Sequence, residues 1–223
     1  MQLTSLLLLL PLLSGSAPDV SAADQALMDR QRPSYPLDAC PISGKKLAAD
    51  VKPQEMLVQG RLVRLCCPKC VAAVEKDPAP ILAKIDAAVI QAQKASYPLE
   101  TCVISGEKFG GEMGEPVDYI YGTRLVRFCC KGCVAKFEKD PAASMAKIDA
   151  ALIAAQKESY PLAKCVVSGE ELGGMGAPVD YLYGTRLVRF CCKGCVAKFE
   201  KEPAKFLTQI DEAAKKPAGA KGM

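Results

Sequence analysis

The sequence predicts an α+β protein of three tandem small modules, each a cysteine knuckle, a β-hairpin and a helix, joined by amphipathic α-helices. Three observations predict it. The phrase RLVRFCCKGC occurs twice, at 124–133 and 186–195, and a looser copy, RLVRLCCPKC, occupies 61–70. All 12 cysteines fall into three sets of one order: Cys40, Cys66, Cys67 and Cys70; Cys102, Cys129, Cys130 and Cys133; Cys165, Cys191, Cys192 and Cys195. The sets repeat every 62 or 63 residues in a chain of 223. A unit of about 60 residues hides only roughly 60% of its unfolded surface, so metal or disulfides would help close each one.

The elements follow in order. Residues 1–23 resemble a secretory signal peptide, with a Leu-rich run at 6–13 broken by Pro11 and small residues before cleavage after Ala22 or Ala23. That run is too short to span a bilayer and no later stretch is long and apolar enough, so the mature chain is expected without a membrane span. An exported, periplasmic location in a bacterium is the expectation. Residues 24–34 read as a partial helix. Repeat 1 with its linker helix covers 35–95, repeat 2 with its linker helix 96–158, repeat 3 covers 159–212, and 213–223 form a flexible tail.

Each repeat opens on Tyr-Pro-Leu at Tyr35, Tyr97 or Tyr160, and its first cysteine comes shortly after. A Ser-Gly turn follows (Ser43-Gly44, Ser105-Gly106, Ser168-Gly169), whose glycine supplies the bend of a metal-binding knuckle. Repeats 2 and 3 then carry Gly-rich loops with Met113 and Met175, possible thioether donors better read as loop packing. Hairpin arms are predicted at 117–121 and 124–128, and at 179–183 and 186–190, joined at Gly122-Thr123 and Gly184-Thr185. In repeat 1, Gly60 keeps the turn before 61–65. Tyr119, Tyr121, Tyr181 and Tyr183 alternate in strand fashion as hairpin packing.

After each cluster, CVAKFEK at 133–139 and 195–201 reads as helix with Phe137 and Phe199 inward. Asp77-Pro78, Asp140-Pro141 and Glu202-Pro203 then restart helices, the acidic residue suiting an N-cap and proline the first turn. The linker helices are expected at 78–95, with Ile81, Ile85 and Val89 on one stripe, and at 141–158, with Met145, Ile148, Leu152 and Ile153. Both stop before Tyr-Pro, where the pre-proline residue disfavours helix.

Composition narrows the chemistry. Histidine is absent, which removes the commonest general base and the commonest nitrogen ligand, so a metal here must be held mainly by sulfur. The 29 basic and 25 acidic residues are interspersed, which gives nucleic-acid binding no support. Asp86, Asp118, Asp149 and Asp180 recur at repeat-equivalent positions but suit helix and hairpin surfaces better than acid–base work. With no catalytic triad, nucleotide loop or paired carboxylates, the chain reads as a non-enzyme. CKGC alone matches a redox CxxC but lacks the βαβ setting of a thioredoxin.

Within a cluster, Cys130 and Cys133 form CxxC at a helix start, where backbone amides stabilise a thiolate. Cys129 and Cys133 can also converge, whereas Cys129 and Cys130 point apart on a regular strand unless a turn intervenes. Four thiolates suit Zn(II); three suit Cu(I) or leave Zn(II) an open position.

A cysteine followed by Ser-Gly, a strand ending in Phe-Cys-Cys, a further cysteine three residues on, then Phe and Asp-Pro resembles the TRASH and YHS group of treble-clef-like metal-binding modules. The resemblance covers 35–83, 97–146 and 160–207. It implies a treble-clef-like fold, and as ligands Cys40, Cys66 and Cys70; Cys102, Cys129 and Cys133; Cys165, Cys191 and Cys195. Cys67, Cys130 and Cys192 are additional to the family pattern. The function expected is an extracytoplasmic protein holding Zn or Cu(I), up to one ion per repeat, for buffering, delivery or sensing, with metal ions as partners and another envelope protein as a further candidate. The alternative is a disulfide-stapled structural or interaction protein without metal.

Overall fold

The computed structural model describes residues 20–47, 52–111, 114–174 and 176–215. The expected signal segment through residue 19, Met113, Met175 and residues 216–223 of the expected tail lie outside the described residues; 213–215, expected in that tail, are helical instead. Helix α1 (Ala22–Gln31) is capped by the Ser21 hydroxyl, which accepts the Asp24 N–H, and a 3-10 turn (Arg32–Ser34) follows.

Three hairpins come next: β1 (Gln54–Val58) with β2 (Arg61–Leu65), β3 (Val117–Tyr121) with β4 (Arg124–Phe128), and β5 (Val179–Tyr183) with β6 (Arg186–Phe190). All are antiparallel two-stranded sheets. The arms of the second and third have the predicted bounds, because Gly122 and Gly184 take positive φ at the first central turn position, as Gly-X hairpins require. Opposite charges face each other across each pair: Glu55 and Arg64, Asp118 and Arg127, Asp180 and Arg189, with Nε–O distances of 2.9, 2.8 and 2.8 Å.

Each hairpin leads through two cysteines into a short helix, α2 (Pro68–Lys76), α4 (Lys131–Lys139) or α6 (Lys193–Phe199). A longer helix follows: α3 (Ala79–Gln93), α5 (Pro141–Lys157) and α7 (Pro203–Lys215). The expected acidic N-caps are corrected in part. Asp77 closes α2 instead, and Pro78 caps α3; Asp140 does hold the N-cap position of α5, but its side chain makes no capping bond.

Each cysteine set sits in its own apolar cluster. Leu65, Val74, Ile85 and Val89 surround the first; Phe128, Phe137, Ile148 and Leu152 the second; Phe190, Phe199, Phe206 and Ile210 the third. The tyrosines pack as expected: Tyr121 meets Phe137 edge-on at 5.3 Å and Tyr183 meets Phe199 likewise.

Neighbouring modules share material. Leu125 and Ile120 of the second hairpin join the first cluster, and Leu182 of the third joins the second. The long helices carry the junctions. On α3, Asp86 pairs with Arg61 of the module before it, while the Gln93 side chain donates to the Thr123 carbonyl and accepts from the Leu125 N–H of the module after, both at 2.9 Å. On α5, Asp149 lies 2.6 Å from Arg124, and Gln156 makes the same two bonds to Thr185 and Leu187. Helix α1 supplies only the forward half: Gln31 bonds Gly60 and Leu62. Thus the aspartates expected on surfaces are ion-paired there. The array has the nearest-neighbour logic of repeat proteins.

The segment around Pro33 also reaches further. The Thr123 hydroxyl donates to the Gln31 carbonyl at 2.8 Å and lies 2.7 Å from the Ser34 hydroxyl. Gly184, at the third hairpin's turn, approaches Pro33 so closely that a Cβ there would sit 2.9 Å from the Pro33 carbonyl.

Candidate metal centre

The first cysteine of each set stands in a tight knuckle. Its N–H donates to the carbonyl five residues on and its carbonyl accepts from the Ser-Gly glycine, at 2.8–2.9 Å in Cys40, Cys102 and Cys165 alike. Gly44, Gly106 and Gly169 have φ of 71, 78 and 77°, a conformation that other residues adopt at a cost. The knuckle turns backbone N–H groups toward the sulfur. Burial opposes a charged thiolate, yet the Ser43 hydroxyl and the amides of Ser43, Cys66 and Ile42 outweigh it, and the Cys40 thiol is pulled down to about 6. Cys102 and Cys165 behave identically, each with its own serine.

The hairpin delivers the next two cysteines, and the short helix the fourth. The strands end at Leu65, Phe128 and Phe190, and the chain bends at the cysteine pair, so the alternation that would separate adjacent side chains stops there. In the first module Cys66 and Cys67 Sγ consequently lie 3.7 Å apart. One helical turn brings Cys70 to 3.8 Å from Cys66 and 3.6 Å from Cys67. The corresponding distances are 3.7 and 3.8 Å in the second module and 3.8 and 3.9 Å in the third.

Three thiols per module converge fully. Cys40, Cys66 and Cys70; Cys102, Cys129 and Cys133; and Cys165, Cys191 and Cys195 each have all sulfurs within 4.8 Å of one another and could hold one metal ion. Cys67, Cys130 and Cys192 lie outside these sets while touching the helix cysteine of each. All 12 cysteines are free thiols, and the S–S separations given above far exceed the 2.03–2.05 Å of a disulfide. They match instead the edge of a tetrahedron around a zinc ion, about 3.8 Å for Zn–S bonds of about 2.3 Å. The donor set thus fits a thiolate-bound metal.

The thiols differ electrostatically. Burial pushes Cys70 up to about 12, reinforced by its side-chain contacts with Cys67, Cys40 and Cys66; Cys133 and Cys195 are raised in the same way. Cys67, Cys130 and Cys192 occupy the helix N-cap, and the backbone N–H of the helix cysteine lowers each of them.

No family model, curated protein or solved structure matches the chain.

Two supporting groups escaped the sequence reading. Ser43, Ser105 and Ser168, read only as turn residues, place their hydroxyls 3.2–3.3 Å from Cys66, Cys129 and Cys191. Tyr35, Tyr97 and Tyr160, read only as module openers, accept through their phenol oxygens the N–H of Arg64, Arg127 and Arg189, two residues before the cysteine pair. Each of those guanidiniums also lies over the ring of the same tyrosine, 5.7–5.9 Å from its centre. The signal for both groups was their recurrence at fixed offsets from the cysteines.

Proposed function

We propose that the protein is an exported, non-catalytic metal-binding protein whose three modules each hold one soft or borderline ion, Zn(II) or Cu(I), for buffering, delivery or sensing. The observation that carries this is the threefold convergence of thiols, all but Cys66 buried, at metal-ligand spacing in a chain without histidine. Cys40, Cys66 and Cys70 and their counterparts act as the ligands, with Cys67, Cys130 and Cys192 beside the helix cysteine of each set. The knuckle–hairpin–helix order and the resemblance to TRASH and YHS modules support the same reading. Export rests on the N-terminal sequence; among the described residues, no helix is long and apolar enough to cross a membrane. Metal ions are the primary partners, and delivery would engage another envelope protein.

Titration of the reduced, refolded protein tests this. Binding should saturate near three equivalents of Zn(II) or Cu(I), with the thiols becoming unreactive as metal is added. No binding of either ion, or six disulfides in protein isolated from its own compartment, defeats the proposal and favours the stapled alternative.

A further inference from the structure

The four sulfurs of each module differ in exposure, and in the first module the strand-end Cys66 is itself partly open. The knuckle thiol and the helix thiol of each converging set are buried, whereas Cys67, Cys130 and Cys192 are partly open to solvent. These outer thiols nevertheless lie 3.6, 3.8 and 3.9 Å from the buried Cys70, Cys133 and Cys195. In the second and third modules the residues two places on, Gly132 and Gly194, carry no side chain. An added Cβ would lie 3.8 and 3.9 Å from the outer sulfurs, in ordinary contact with them, and the first module carries Lys69 at this place.

We propose that Cys67, Cys130 and Cys192 are exchange ligands, through which an ion passes between the buried thiols and a thiol-bearing donor or acceptor. This rests on the metal-binding role proposed above. A soft cation seldom travels bare, so a site whose other ligands are largely buried is best reached by stepwise replacement of one sulfur by another. As the outer sulfur bonds the incoming ion, its thiol proton is released and one sulfur–metal bond to the donor breaks. The departing thiolate takes up a proton, and no electrons are transferred. The buried sulfurs then replace the remaining donor bonds, their protons likewise passing to the donor thiolates. The chemistry that fits the partner is a small thiol complex or a protein presenting cysteine sulfur, with delivery by the reverse sequence.

The test compares the full chain with its C67S/C130S/C192S variant, using Cu(I) supplied as its glutathione complex. Uptake is followed by copper–thiolate absorbance in stopped flow, and loading by metal analysis. The expected result is three ions bound by both proteins, with uptake at least tenfold slower in the variant. Equal or faster uptake at full loading overturns the exchange role alone, as does a variant that loses stoichiometry, since the outer thiol is then a structural ligand. A wild type that binds no Cu(I) overturns the metal-binding role and this one together. If the triple variant misfolds, C192S alone is used; one third of the uptake amplitude should then slow, and an unchanged profile refutes the proposal.

Discussion

Leu125 donates its backbone N–H to the Gln93 side chain at 2.9 Å, tying the strand that ends beside Cys129 to the helix of the preceding module. Gln93 is buried, and its amide satisfies a donor and an acceptor that the hairpin end would otherwise leave unpaired. The cysteine cluster of one module is therefore positioned by the helix of another.

Replacing Gln93 with leucine should leave both backbone groups unsatisfied and cost about 1–3 kcal/mol. Urea denaturation of the metal-free protein measures the loss. Hydrogen exchange should show protection falling first in 117–128, with 54–65 least affected.

The aromatic cluster of the second module gives a larger effect. Phe137 is fully buried, with Tyr119, Tyr121 and Phe128 centred 5.3–5.7 Å away. Phe137→Ala should cost about 3–5 kcal/mol, and Phe199→Ala a similar amount, whereas Val74→Ala at the equivalent place in the first module removes less side chain and should cost less. Thermal unfolding of the three variants ranks them.

Gly184 and Gly60 separate two kinds of glycine cost. Both have positive φ, but a Cβ at Gly60 meets open space and one at Gly184 meets the Pro33 backbone at 2.9 Å. Gly60→Ala should cost about 1 kcal/mol from backbone strain alone. Gly184→Ala should cost clearly more, read as a larger fall in the urea midpoint.

Acid should weaken the third hairpin in a defined direction. Burial alone would raise the Asp180 carboxyl, but hydrogen bonds from Arg189 and Lys157 outweigh it and hold it below the ordinary carboxylate range. A carboxylate with a depressed folded pKa stabilises the protein above its unfolded pKa, near 4, and that stability is lost as pH falls through the lower folded value. Asp180→Asn should cost up to about 1 kcal/mol at neutral pH and nothing once the wild-type carboxyl is protonated. Urea midpoints at pH 7 and pH 2 provide the comparison.

Alkylation of the metal-free protein should proceed in order. Cys67, Cys130 and Cys192 are partly exposed and their thiols are lowered by backbone amides, so iodoacetamide should label them before Cys70, Cys133 and Cys195, which are buried and pushed up to about 12. Peptide mapping at short times reads the order directly; a uniform labelling rate contradicts it.

The hairpins were legible because Val117–Tyr121 and Arg124–Phe128 combine β-forming residues with a Gly-Thr turn, and the repeat supplied a second instance to check the first. The convergence of the knuckle, strand-end and helix cysteines was legible from spacing and from family resemblance. The direction of the bend after residue 65, which brings Cys66 and Cys67 together, was not, since a predicted strand end does not say which way the next two side chains turn. Nor was the role of Gln31, Gln93 and Gln156. A glutamine near a helix end has no periodic signature, and its value here depends on a hairpin in the next module. Only its recurrence in Gln-x-x-Ser-Tyr-Pro at all three junctions could have marked it.

The meeting of Gly184 with Pro33 sets an order of events in time. The partners of that contact are separated by two modules of sequence, so it cannot form until the third hairpin has been synthesised. The first module can complete its local contacts as soon as its own helix and hairpin emerge, while the final seating of the segment around Pro33 waits on the far end of the chain. The bonds of Thr123 to Gln31 and Ser34 wait on the second hairpin and the approach of Gly184 to Pro33 on the third, so the segment before the first module is completed in stages as later modules emerge.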